Sequence, residues 1–130
     1  MQWVECIEGM LFIVTPKYNK TKGAKFETDV MKWFRKMGLV AERLRLSGSE
    51  DEGDLVVIVA GETFIFELKN TKKLNLKEFW DEAQKEAANY AKHRSINQPL
   101  SYVLFKRRSA GIEKAWVIQD LTQWLEDKNG

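Results

Sequence analysis

Two chemically versatile residue types are almost missing from this chain. Its 130 residues include one cysteine, Cys6, and one histidine, His93. A lone cysteine excludes an intrachain disulfide and fits a reducing compartment, so a cytoplasmic location is expected. One cysteine and one histidine also exclude a usual structural zinc site, which takes four such ligands. Proline occurs only twice, at Pro16 and Pro99, and both positions read as breaks between elements. No apolar run approaches the ~20 residues of a membrane span. The first ten residues contain Glu5 and Glu8 and no basic run, unlike a secretory signal. Repeats and low-complexity tracts are absent. Excess charge is small too: 21 basic against 19 acidic residues leave +2. A nucleic-acid partner must therefore be argued from where the charges lie, not from their sum.

What remains is ordinary globular material, 44% hydrophobic and 31% charged, of a length that suits one domain spanning residues 1–130. The informative stretch runs from Gly53 to Lys69. Leu55 to Ala60 is an unbroken apolar run, as expected for a strand buried on both faces. Ala60-Gly61-Glu62-Thr63 reads as a tight turn with glycine at its first central position. Thr63 to Lys69 then alternates, with Phe64, Phe66 and Leu68 on one face and Ile65, Glu67 and Lys69 on the other. Pairing Ala60 with Thr63 sets Asp54 opposite Lys69 and Val56 opposite Glu67. Directly paired residues share a face, so Asp54, Glu67 and Lys69 converge at one end of the hairpin. Two carboxylates and a lysine beside a buried strand are costly unless a cation or tight pairing compensates them. Oxygen ligands of this kind suit Mg²⁺. The alternative is a surface hairpin whose charges are simply solvated.

The rest of the chain reads in order. Met10 to Val14 is an apolar segment after Gly9, expected to be an extra strand and paired in a hairpin with Trp3 to Ile7. It serves either edge packing or a contact surface. Pro16 to Lys25 is a lysine-rich linker. Lys25 to Met37 is an amphipathic helix with Phe26, Val30, Trp33, Phe34 and Met37 on its apolar stripe and Gly38 as its C-terminal cap. Glu27 borders that stripe. Val40 to Leu46 alternates as a strand with Ala41, Arg43 and Arg45 on a basic outer face. Ser47 to Gly53 is a polar loop in which Glu50, Asp51 and Glu52 read as solvated charges. Leu76 to Lys92 is a second helix, with Leu76, Phe79, Trp80, Ala83, Ala87, Tyr90 and Ala91 on one stripe and Gln84 at its margin. His93 follows near the helix end, where a cation suits the dipole. Ser101 to Phe105 and Ala115 to Gln119 read as strands flanking a basic loop, Lys106 to Gly111. A short final helix is capped by Asp120 or Thr122. Three strands in meander, a helical crossover and further strands imply a mixed sheet with helices on its faces.

These residues resemble a known group. Lys22-Gly23-Ala24, Glu27 on a first helix, Arg43, Ser47-Gly48-Ser49, Gly53-Asp54 and Glu67-Leu68-Lys69 together resemble the PD-(D/E)XK nuclease superfamily, and within it the archaeal-type Holliday junction resolvases. The likeness covers about residues 20–119 and leaves residues 1–16 as an additional N-terminal segment. Gly53 stands where proline often precedes the aspartate, and the acidic insertion Glu50 to Glu52 has no clear counterpart. The resemblance implies a restriction-endonuclease-like α/β fold, a mixed central sheet flanked by helices. It also implies a Mg²⁺-dependent endonuclease, with Mn²⁺ able to substitute, acting as a homodimer on branched double-stranded DNA. By the same resemblance Asp54 and Glu67 bind the metal directly, helped by the Leu68 carbonyl, and Glu27 completes the site. Lys69 orients or activates the attacking water and Ser47 sits close to the scissile phosphate. Gln84 is a weaker candidate for an auxiliary polar residue. Lys20, Lys22, Lys25, Arg43, Arg45, Lys72 and Lys73 are the expected DNA contacts. Two other readings stay open: a different nuclease of the superfamily, and a non-catalytic DNA-binding module that keeps the fold.

Overall fold

The structure, a computed structural model, describes residues 2–7, 10–14, 16–44 and 50–129, with side chains from Thr21 onward. An antiparallel pair of strands, β1 (Gln2–Ile7) and β2 (Met10–Val14), opens the chain, as the apolar N-terminal pattern predicts. Helix α1 (Pro16–Lys36) follows. Then come β3 (Val40–Arg43), β4 (Leu55–Val59), β5 (Glu62–Lys69), α2 (Leu76–Arg94), β6 (Leu100–Phe105), a single 3-10 turn (Ile112–Lys114), β7 (Trp116–Ile118) and α3 (Leu121–Asn129). Strands β3 to β7 form one five-stranded sheet in chain order. Only β5 and β6 run parallel, joined by the α2 crossover; the other neighbours are antiparallel. This is the expected α/β architecture.

Helix α1 covers one face of the sheet. Phe26 and Val30 pack on Ala41, Leu55, Val57, Phe66, Leu68, Tyr102 and Leu104. Helix α2 covers the other face, above β5 and β6, with Phe79 and Ala83 on Val103 and Phe105. Each large side chain so buried contributes about 1.5–3 kcal/mol. Gly38 closes α1 with a positive φ of 86°, and the N–H groups of Gly38 and Leu39 donate to the Arg35 and Phe34 carbonyls. That is a Schellman cap at the glycine where it is expected. Asp120 Oδ1 accepts from the Gln123 N–H at 2.9 Å, so Asp120 is the cap of α3.

Four expectations need correction. First, α1 begins at Pro16, so the lysine-rich segment is helix and not linker. Proline at the first helical position has its φ pre-set and loses no helical hydrogen bond. Second, the β4–β5 turn is Val59-Ala60-Gly61-Glu62, with Val59 paired to Glu62. Ala60 and Gly61 both take positive φ, 50° and 79°, as a two-residue type I′ loop requires. Continued to the end of the hairpin, this pairing sets Asp54 opposite Glu67 and not Lys69. The shift is two residues, so every side chain keeps its face. Third, β3 is reversed: Ala41 is 1% exposed and Val40 56%. Ala41 pairs with Val57 beneath α1, whereas α2 lies over β5 and β6 and leaves Val40 and Ile58 exposed. Fourth, Glu52 is not solvated. It is buried, its carboxylate accepting from Arg94 Nη1 at 2.6 Å and lying 2.6 Å from His93 Nδ1. His93 thus holds the acidic loop to the end of α2, beyond any favourable dipole.

Candidate active site

The chain reaches the site through Gly53. This residue is buried with φ of 106°, a conformation closed to proline and strained for any side chain. The backbone at this position therefore calls for glycine and could not accept proline. The Asp54 N–H donates to the Phe66 carbonyl at 3.1 Å, and Asp54 Oδ2 accepts from the Leu68 N–H at 2.8 Å. The aspartate is clamped across the start of β4 onto β5, with Glu67 and Lys69 on the same face.

That face lies under α2, and α2 brings two carboxylates that the sequence reading missed. Carboxylate oxygens of Glu67, Glu82 and Glu86 lie within 4.8 Å of one another. Glu67 is 5% exposed and Glu86 4%. Neither Glu67 Oε2 nor Glu86 Oε2 has a hydrogen-bond partner among the described residues. Lys69 Nζ lies 3.0 Å from Glu82 Oε2, 3.4 Å from Glu67 Oε1 and 5.0 Å from the centre of the Phe79 ring. One signal did exist for Glu86. It falls three residues after Ala83 and one before Ala87, inside the buried stripe of the helix.

Burial dominates the electrostatics. Burial and then the charge of Glu67 push Asp54 up to about 9, against the Leu68 N–H bond, which favours the anion. Burial and then the neighbouring Glu86 push Glu67 up to about 9. Glu86 is raised to about 7, mainly by its own burial. Three acids crowded into a low-dielectric pocket cannot all ionise without a compensating cation. Burial pulls Lys69 down, but the charges of Glu67 and Glu82 outweigh it and raise it above its ordinary value. Lys69 is thus held as an ammonium.

The other candidates fall as follows. Glu27 projects from α1 and accepts from Arg43 Nη2 at 2.6 Å, and its charge helps to raise Asp54. Arg43 is thus engaged by the helix. Lys25 pairs with Asp29 at 2.7 Å. Lys22 is half-buried, and Lys72 and Lys73 are exposed in the loop after β5. Gln84 Nε2 donates to the Ser101 carbonyl at 3.1 Å and ties α2 to β6, so it turns away from the acids. Ser47, Arg45 and the Lys20 side chain lie outside the described residues.

A mixed sheet between helices, with an aspartate leading into one strand and Glu-x-Lys on the next, defines a PD-(D/E)XK nuclease fold. A family model, archaeal Holliday junction resolvase (hjc), matches residues 18–120, and the chain belongs to that family. Its members are endonucleases. Among solved structures, the chain is similar to Hjc of Archaeoglobus fulgidus, a Holliday junction resolvase from an archaeal hyperthermophile. The two share 21% identity with a TM-score of 0.49, over 79% of this chain and 93% of that one. No curated protein sequence gives a significant match. No described helix is long and apolar enough to cross a membrane.

Proposed function

We propose that this chain is a single-domain, divalent-metal-dependent endonuclease that cuts four-way DNA junctions by phosphodiester hydrolysis, working as a homodimer. The observation that carries the reading is half-buried Asp54 beside buried Glu67, with unpartnered carboxylate oxygens on Glu67 and Glu86 and an ammonium at Lys69 beside them. Family membership supplies the substrate class.

The donor set fits a hard cation: carboxylate oxygens, buried, crowded and short of hydrogen-bond donors. Asp54, Glu67 and the Leu68 carbonyl are the proposed ligands of Mg²⁺, with Mn²⁺ as a substitute. Glu27 completes the shell from α1, and Glu86 is added to the set from α2. When bound, such an ion acidifies an attacking water and offsets charge on the phosphate. The chain's own groups do the rest. Asp54 is fixed by the Leu68 N–H, so its free oxygen has a defined direction. Lys69 keeps its proton and donates toward a phosphate oxygen or the attacking water. Ser47 is proposed to lie by the scissile phosphate. Lys20, Lys22, Lys25, Arg43, Arg45, Lys72 and Lys73 are the proposed backbone contacts, which carry affinity but little sequence information.

A junction has two-fold symmetry and resolution takes two matched cuts, so two copies of one site are needed. Trp116, Val117, Trp124 and Leu125, each about half exposed, and the β2 segment Met10–Val14 are the proposed contact surfaces. Incubating the protein and Mg²⁺ with a labelled four-way junction, and with a linear duplex of the same arm sequence, tests the reading. Symmetric paired nicks in the junction with the duplex intact are expected. Equal cutting of both would make this a different nuclease of the superfamily.

A further inference from the structure

Beside the acidic site lies a second concavity of opposite sign. A cavity of about 300 Å³ opens outside the ends of the parallel strands β5 and β6. Its walls carry Lys22 from α1, Lys72 from the loop after β5, and Lys106, Arg107 and Arg108 from the loop after β6. Among the described residues, no acidic one lines it. The ends of parallel strands are a usual place for a ligand in an open α/β sheet.

Three further observations bear on what fills it. None of the five basic residues forms an ion pair among the described residues; Lys32, Lys36 and Lys85 form none either, but those three do not share this hollow with other cations. Five unpaired cations around one hollow repel each other unless an anion joins them. The loop is also tied to the acidic site, because the Lys106 N–H donates to the carbonyl of Lys69 at 3.0 Å. Arg107 is held in place besides: its guanidinium lies 5.4 Å from the centre of the Trp116 ring, which stacks on Phe105. An arginine so held loses less freedom when it binds a phosphate in bidentate fashion.

We infer that this cavity is a phosphate subsite for the DNA backbone, seating a phosphodiester of the cleaved strand next to the one held at Lys69. The inference rests on the nuclease reading above and extends it to the Lys106–Arg108 loop. It makes the acidic pocket and the basic cavity two stations along one strand: one admits a metal, the other only an anion.

The test is the salt dependence of junction binding, measured in chelator so that nothing is cut. The wild type is compared with the combined variant Lys106→Gln, Arg107→Gln, Arg108→Gln, and with a charge-matched control, Lys32→Gln, Lys36→Gln, Lys85→Gln. The pocket variant should lose about tenfold or more in affinity at fixed salt, and the slope of log affinity against log salt should flatten by about 1, the share of the one phosphate seated there. Its Mg²⁺ affinity by calorimetry should match the wild type, which excludes general damage to the fold. Equal slopes for the pocket variant and the control overturn the subsite alone. A wild type with no salt-dependent affinity for DNA sinks the nuclease reading, and the subsite with it. Saturable inorganic phosphate binding that the pocket variant loses, with its DNA slope unchanged, would make the cavity a site for free phosphate and overturn the backbone assignment.

Discussion

Replacing Glu86 by glutamine should make the metal-free protein more stable at alkaline pH and leave it nearly unchanged at acid pH. In the fold the Glu86 carboxyl keeps its proton to about 7, against an ordinary 4.5. Between those values the folded state binds more protons than the unfolded state, so stability falls as pH rises. Below 4.5 there is no penalty; above about 7 it is complete. At about 1.4 kcal/mol for each tenfold change in proton affinity, the full penalty is about 3 kcal/mol. The glutamine variant does not titrate, so its advantage over wild type should grow by about 3 kcal/mol from pH 4.5 to pH 8. Removing Glu86 also relieves Glu67, which its neighbour pushes upward, and this acts in the same direction. Urea unfolding in chelator reads the difference, because 3 kcal/mol moves the midpoint by about 1–3 M. A constant cost of burying the amide cancels when the two pH values are compared. Saturating Mg²⁺ should reverse the order, since a ligand that binds only the folded state stabilises the wild type more. An advantage that is flat from pH 4.5 to pH 8 would refute the claim that Glu86 is a strained acid in an acidic pocket.

Three further outcomes are expected. Lys69→Ala should lower turnover by about 100-fold or more without weakening Mg²⁺ binding, because an ammonium cannot be a ligand. A loss of metal affinity as large as that of Asp54→Asn would show that Lys69 has another role. Gly53→Ala should destabilise the protein by about 2–4 kcal/mol in denaturant unfolding, from its positive φ and from overpacking. The added Cβ would sit 2.6 Å from Ile65 Cγ2 in the core, so a neutral result would contradict a left-handed backbone at Gly53 packed against Ile65. Sedimentation equilibrium at micromolar protein should report about twice the 15.2 kDa chain mass, and a monomer even on junction DNA would exclude two matched sites.

The convergence of Asp54, Glu67 and Lys69 was legible because strand alternation has a period of two. The turn was misplaced and the pairing slipped by two residues, yet the face of each side chain survived. Nothing in Ala60 signals a positive φ, since asparagine or aspartate usually stands there, so the true turn was hidden. The strand at Val40 reads either way by alternation. Which side is buried follows from where α1 lies, a tertiary fact that sets Ala41 against the core. The start of α1 was obscured because four lysines look like linker until a proline is read as a helix opener. Glu82 and Glu86 were the larger omission. Acids on a helix usually face water, and only the packing of α2 over β5 turns these two toward Glu67. Gln84, singled out by its position on the stripe, serves instead to fasten the helix to β6.

The most direct test of the central claim is single-turnover cleavage of a labelled four-way junction by wild type and by Asp54→Asn, at saturating Mg²⁺ and with DNA binding measured in parallel. Asp54 is clamped by the Leu68 N–H at 2.8 Å beside Glu67, so the account makes it indispensable to the chemistry but not to DNA affinity. It predicts that the variant binds the junction as tightly as wild type, or more tightly, because a negative charge near phosphate has been removed, and that cleavage is lost. Comparable cleavage by Asp54→Asn and wild type would contradict it.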